Sequence, residues 1–318
     1  MNYIRTLFVM LITCLSTGYA TVQQSENIRE VFVKAKDAEI FCKVMGKGKP
    51  IVILHGGPGL THAYLLPQMA KLAEDHLVIF YDQRACGFST GEISPSSMQI
   101  DIFVEDLECI REAFGFKQMT VLGHSWGGFL AMQYAIAYPE AVNKLILSNP
   151  TPPSSDDFSL YVKEFMGRME PYQEELKAVK ETQGFIDGDP SICERYYRIC
   201  FRTYWHHPEK ANALNLRMTP KAFIDGVRVN EVFWQNVFVH SFNYHDQLKK
   251  LKIPTLIIHG VADLIPQISA QKIHESIPNS KYILLKDCGH FPYLEAPELF
   301  FNELNAFLSK KINGRRKK

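Results

Sequence analysis

The chain is 318 residues long, enough for one large α/β domain carrying an insertion or for two ordinary domains. Hydrophobic residues make up 46% of it, ample for a buried core, and 35 Lys and Arg against 34 Asp and Glu leave a formal charge of +1. That balance argues against nucleic acid or an acidic surface as partner, and no repeat or low-complexity tract is present.

Met1–Arg5 carries one positive charge, Thr6–Leu15 is almost wholly apolar, and Gly18-Tyr19-Ala20 offers the small-x-small pattern that a signal peptidase reads. The run is short for a bilayer span. The expectation is an export signal over residues 1–20, cleaved near Ala20, for a periplasmic or secreted protein; an uncleaved membrane anchor and a cytoplasmic protein are the alternatives. Cys14 would leave with the signal, and the remaining six cysteines, Cys42, Cys86, Cys109, Cys193, Cys200 and Cys288, permit disulfides of unreadable connectivity. Cys193 and Cys200 would stand ~10 Å apart along one helix, too far to bridge. No Cys or His spacing resembles a zinc site, and no metal or organic cofactor is implied. The basic end, Arg315 to Lys318, reads as a solvated tail.

In chain order, Ile28–Lys34 and Ala38–Val44 alternate as an antiparallel hairpin turning at Lys36-Asp37. Ile51–Leu54 is a short apolar run suited to the middle of a parallel sheet. It ends in His55-Gly56-Gly57-Pro58-Gly59, a loop whose backbone can approach a ligand closely. After an amphipathic segment, Tyr64–Glu74, a second apolar strand, Leu77–Tyr81, runs into Asp82-Gln83-Arg84-Ala85-Cys86-Gly87-Phe88-Ser89. Gln99–Phe114 has the apolar spacing of an amphipathic helix.

The β-run Met119–Leu122 then ends in Gly123-His124-Ser125-Trp126-Gly127, and helical spacing follows over Phe129–Tyr138. Gly-x-Ser-x-Gly between a strand and a helix is the pattern of a nucleophile elbow, which presents Ser125 on a tight turn. Gly123 and Gly127 are expected where any side chain would strike the crossing backbone. The turn would aim the Trp126 N–H at a developing oxyanion, with a second donor, Gly57, from the glycine loop. His55 and His124 lie near this site with no required chemical step, so packing or hydrogen bonding is their expected role.

Three motifs in this order, His55-Gly56-Gly57-Pro58-Gly59, Asp82-Gln83-Arg84 with Cys86-Gly87-x-Ser89, and Gly123-His124-Ser125-Trp126-Gly127-Gly128, resemble the proline iminopeptidase family of α/β-hydrolases. Ala85 departs from that family, where glycine is usual. The resemblance implies an α/β-hydrolase fold: a mostly parallel eight-stranded sheet flanked by helices, with an inserted helical cap.

Leu145–Leu147 is the next strand, and Ser148 to Pro153 breaks regular structure. From Ser154 to Phe242 the segments are charged, aromatic and helical, which reads as the cap (154–242) between two parts of the core (21–153 and 243–318). Sheet patterning returns with Ile253–Ile258 before Asp263 and with Tyr282–Leu285 before His290, an amphipathic helix around Ser269–Ile277 lying between. Chain order Ser125, Asp263, His290, with the last two just after strands, is the order of a hydrolase triad.

The resemblance further implies cap carboxylates that hold a substrate's free amino terminus; Glu194 and Glu231 are the candidates, and Trp205 and Trp234 could line an apolar pocket. The expected partner is a small peptide, amide or ester substrate, with no nucleic acid and no stable membrane partner unless the leader is retained; the oligomeric state is left open. Three readings follow: an exported aminopeptidase preferring proline, an esterase or lactonase using the same triad, and a non-catalytic binding protein, which the intact triad disfavours.

Overall fold

The computed structural model describes residues 28–310; the expected export signal over residues 1–20, Cys14 and the basic tail lie outside them. Eight strands form one sheet in the order β1-β2-β4-β3-β5-β6-β7-β8. The hairpin of β1 (Arg29–Ala35) and β2 (Ala38–Met45) is antiparallel and turns at Lys36-Asp37, with Asp37 left-handed at φ 57°. It joins β4 (His76–Tyr81) antiparallel, and all later neighbours pair parallel: β3 (Lys49–Leu54), β5 (Met119–His124), β6 (Val142–Ser148), β7 (Thr255–Gly260) and β8 (Ser280–Leu285).

Residue alternation along each strand feeds two separate cores. Val52, Leu54, Val121, Leu145 and Ile257 face one side, where they pack against Phe103, Phe129 and Ile273. Ile51, Ile53, Leu122, Ile146 and Ile258 face the other, against Leu65, Met69, Phe300 and Leu304. The amphipathic segment after the glycine loop is not one helix: Pro67 opens the single turn α1 (Leu66–Met69), and tighter 3₁₀ turns flank it at His62–Tyr64 and Ala70–Glu74. The helices α2 (Ile100–Ala113) and α3 (Trp126–Ala137) follow, and α3 is buried on every side through Ala135, as a helix between sheet and neighbours must be.

Between β6 and β7 the chain leaves the sheet for α4 (Ser155–Met169), α5 (Gln173–Lys180), α6 (Gln183–Asp187), α7 (Pro190–Cys200) and α8 (Pro220–Asn236). Their starts are written locally. Asp189 and Thr219 cap backbone N–H groups at the heads of α7 and α8, each followed by a proline in the first turn. The departing and returning chains meet in a bridge between Ser154 and Asn243, reinforced by Ser155 N–H to Phe242 O at 2.8 Å and Tyr244 N–H to Pro153 O at 3.0 Å. The remaining helices are α9 (His245–Leu248), α10 (Gln267–Ser276), α11 (Pro292–Glu295) and α12 (Pro297–Ser309).

Strand β3 pairs with β4 on one side and β5 on the other, so the connections out of β3 and β5 diverge at this point of the sheet. Such a switch point opens a crevice at the strand C-terminal ends. The glycine loop leaves β3 there and the serine elbow leaves β5. All six described cysteines are free thiols, so no disulfide joins any pair of them.

Candidate active site

Ser125 sits at φ 57°, ψ −124°, a conformation that β-carbon-bearing residues rarely occupy. The flanking glycines allow it. A β-carbon on Gly123 would stand 2.1 Å from Gly127 O, and one on Gly127 would stand 2.3 Å from Leu54 O. The elbow is tied to the next strand by Ser125 N–H to Ser148 O (3.0 Å) and Thr151 N–H to Ser125 O (3.0 Å).

Asp263 and His290, expected after β7 and β8, come together: His290 Nδ1 lies 2.9 Å from both carboxylate oxygens of Asp263. Burial alone would raise the Asp263 pKa; the facing imidazoles of His290 and His259 and the Asn149 amide outweigh it, and the carboxyl is held below its usual range. Asn149 Nδ2 donates to Asp263 Oδ2 at 2.6 Å and to Gly289 O at 3.1 Å, from a left-handed backbone at φ 47°.

Ser125, His290, Trp126 and Gly57 all line one cavity of about 320 Å³. Ser125 Oγ and the N–H groups of Gly57 and Trp126 have no hydrogen-bond partner among the described residues, which leaves all three available to a bound molecule. The remaining wall is largely aromatic and comes from the inserted helices, including Phe158, Tyr161, Tyr196, Phe201 and Trp234. Burial pushes the Tyr161 hydroxyl up to about 12, so at neutral pH it remains an O–H, 2.9 Å from the Tyr204 hydroxyl.

Of the two cap carboxylates, only Glu231 reaches the cavity, where it has no ion-pair partner among the described residues. Glu194 must be corrected: it lies on α7 paired with Arg198 one turn on (Nε to Oε1 2.9 Å), away from the cavity lining. The i,i+4 guanidinium satisfies it, while Cys193 and Tyr197 take the buried face. Lys180 of α5 is a second charge on the cavity wall. Trp234 lines the cavity; Trp205 instead packs on Phe291 with ring centroids 4.5 Å apart.

The two neighbouring histidines have definite roles as hydrogen-bonding groups. Gly56 N–H donates to Tyr64 Oη (2.7 Å), Tyr64 O–H donates to His124 Nδ1 (2.7 Å), and His124 Nε2–H donates to the His290 carbonyl (2.8 Å). A continuous chain thus runs from the glycine loop through the elbow to the His290 backbone. His55 Nε2 accepts from Gln83 N–H (3.0 Å), so its Nδ1 carries the proton toward Gly56 O. Burial lowers both rings, His55 to about 4 and His124 to about 3, with the His290 charge adding to the effect at His124.

The Asp82-Gln83-Arg84 motif is scaffolding for these loops. Asp82 accepts from the His62 and Phe88 N–H groups. Gln83 binds His55 O and accepts from Trp126 Nε1 (2.8 Å). Arg84 forms a buried two-pronged pair with Asp106 of α2 (2.9 and 2.7 Å). Sequence reading passed over Tyr64, Asn149 and Glu295. Asn149 alone had a usable signal, a polar residue directly after an apolar strand on the catalytic edge.

A model of the alpha/beta hydrolase fold family matches residues 49–297. A proline iminopeptidase of Clostridium botulinum is 31% identical over 83% of this chain and 91% of its own length. One of Lactobacillus delbrueckii subsp. bulgaricus is 30% identical over 85% and 94%. Among solved structures, a proline iminopeptidase of Mycobacterium smegmatis superposes with a TM-score of 0.64 at 24% identity, over 88% of this chain and 97% of that one. An esterase of Exiguobacterium antarcticum gives 0.65 at 23% identity, over 89% and 100%. The chain belongs to the proline iminopeptidase family of α/β-hydrolases.

Proposed function

We propose that this protein is a serine aminopeptidase that releases an N-terminal residue, proline preferred, from peptides through an acyl-enzyme. The observation that carries the reading is one cavity holding Ser125, the His290–Asp263 pair, two unoccupied N–H donors and the unpaired carboxylate of Glu231. His290 takes the Ser125 proton as Oγ attacks the scissile carbonyl, while Asp263 holds the Nδ1–H tautomer and stabilises the imidazolium. The Gly57 and Trp126 N–H groups receive the oxyanion. His290 then protonates the departing amine, and water, deprotonated by the same ring, releases the acyl group and restores Ser125.

Glu231 supplies the countercharge that an ammonium needs in an aromatic cavity. Glu231→Gln is expected to raise KM for proline β-naphthylamide ~10- to 100-fold, the worth of a hydrogen bond to a charged group, and to leave p-nitrophenyl acetate hydrolysis unchanged. Equal effects on both substrates would remove Glu231 from amine recognition.

An ester hydrolase is the second reading. Lys180 lines the same cavity as Glu231, so the two charges of the cap wall sum to zero, and the wall is otherwise largely aromatic and aliphatic, which suits a neutral acyl group. We further propose export, on the composition of residues 1–20. N-terminal sequencing of protein from its native host is expected to begin near Thr21, and an intact Met1 would contradict it.

A further inference from the structure

Glu295, five residues beyond His290, is 4% exposed, and no Lys, Arg or His side chain among the described residues pairs with its carboxylate. Its partners are four backbone N–H groups. Oε2 accepts from His206 (2.8 Å) and His207 (2.9 Å), in the cap segment after the turn Arg202–Tyr204. Oε1 accepts from Gly289 (3.0 Å) and Phe291 (3.3 Å), the residues on either side of His290.

The two backbones so joined lie in contact. His290 N–H donates to Tyr204 O at 2.8 Å, and a β-carbon on Gly289 would fall 2.3 Å from Tyr204 O and 2.8 Å from His206 N. A buried carboxylate with no cation on its oxygens is costly to desolvate, and a neutral hydrophobe would fill the volume more cheaply; the neighbouring ammonium, Lys210 Nζ, donates to the Glu295 backbone carbonyl at 2.7 Å instead. What a carboxylate does here that no other side chain of its size can do is accept on both ends at once.

We propose that Glu295 is a positioning residue for His290, and that through it the cap's placement over the cavity sets the alignment of the base. The inference rests on reading His290 as the general base. When the cap segment 206–207 moves off, the carboxylate loses one pair of donors and the loop carrying His290 loses its brace; the base is aligned only while the cap is seated.

Glu295→Gln tests this directly, because the amide keeps one acceptor and turns its NH₂ toward one of the two N–H pairs. For whichever of proline β-naphthylamide and p-nitrophenyl acetate the wild type hydrolyses, kcat is expected to fall ~10- to 100-fold, as for a displaced catalytic group, with KM changed less than about threefold. The titre of Ser125 labelled by a fluorophosphonate is expected to stay at one per chain. Loss of melting temperature with an unchanged kcat per labelled site would make Glu295 merely structural and overturn the proposal.

Native-state amide exchange on the wild type tests it without a variant. The amides of His206, His207, Gly289 and Phe291 are expected to open together and to gain protection together when the fluorophosphonate occupies Ser125. Independent opening of the two pairs would overturn the link. A wild type that neither hydrolyses nor labels would instead defeat the reading of the site, while the unliganded exchange result would still decide whether the cap and the His290 loop are joined.

Discussion

Gly59 of the glycine loop and Gly226 of α8 meet backbone to backbone: a β-carbon on Gly59 would lie 2.0 Å from Gly226 O, and one on Gly226 would lie 2.1 Å from Gly59 O. Asn230, one turn further along α8, adds a hydrogen bond from Nδ2 to Pro58 O at 3.2 Å. The roof of the cavity is therefore seated on the loop that carries the Gly57 donor. Gly226→Ala gains up to ~1 kcal/mol of helix propensity but must push α8 and the loop apart, a cost of about 1–3 kcal/mol. A lower melting temperature and lower kcat are expected. Gly167 of α4 has no atom within 4 Å of a built β-carbon and is the internal control; Gly167→Ala is expected to stabilise. Equal behaviour of the two variants would contradict the contact.

Tyr64→Phe removes one hydroxyl from the chain that links Gly56, His124 and the His290 carbonyl. The Gly56 N–H and His124 Nδ1 both lose a buried partner, at about 1–3 kcal/mol each if nothing replaces it. Stability is expected to fall by about 2–6 kcal/mol in urea unfolding when neither group finds a new partner, and kcat to fall with it because the glycine loop and the His290 loop are no longer joined. Wild-type stability and kcat would show that the chain carries no load.

The buried histidines make stability depend on pH. His55 and His124 titrate at about 4 and about 3 in the folded protein against 6.5 for a free ring, so below pH 6.5 the unfolded chain binds protons that the folded chain does not. Stability is fully present above pH 6.5 and falls as pH drops toward 4, by ~1.4 kcal/mol per unit for each ring. The lowered carboxyls of Asp82 and Asp263 add losses only below their free value of 3.8. Urea midpoints are expected to drop steeply from pH 6 to pH 5; a flat response there would show that these rings accept protons in the fold.

Asn149 is the amide that donates to Asp263 Oδ2, an oxygen His290 Nδ1 also contacts. Asn149→Ala removes a hydrogen bond to a carboxylate, and kcat is expected to fall ~10- to 100-fold. Asn149→Asp is expected to be worse, since a second carboxylate against Asp263 forces the pair to share a proton and weakens the countercharge for the His290 imidazolium. Steady-state kinetics decide the ranking, and an aspartate variant as active as wild type would contradict it.

What was legible in the sequence was whatever the backbone itself dictates. The alternation of β1 and β2, the apolar runs of β3 to β7 and the glycines around Ser125 each answer to local sterics; each strand overlaps the stretch its pattern marks, with β6 starting three residues earlier and β7 shifted two residues toward the catalytic edge. Ala85 shows the limit of a residue-type argument: it keeps the left-handed φ of 57° that a glycine would take there, with its N–H donating to Thr90 O at 3.1 Å. Long-range partners were illegible. Glu194 has its partner Arg198 four residues on along α7, a pair the spacing itself offers, whereas only the packing of α8 brings Glu231 to the cavity. Glu295 and Tyr64 gain meaning only when loops distant in the chain are brought side by side. The six cysteines, which permitted disulfides, are six separate thiols.

The measurement that tests the central claim most directly is hydrolysis of proline β-naphthylamide beside an N-blocked proline amide and p-nitrophenyl acetate, each with a Ser125→Ala control. Turnover of the free-amine proline substrate in strong preference to the blocked one, abolished by Ser125→Ala, is the predicted result. Turnover of the ester alone would contradict the aminopeptidase assignment and move the protein to the ester hydrolases, and activity surviving in Ser125→Ala would contradict the nucleophile itself.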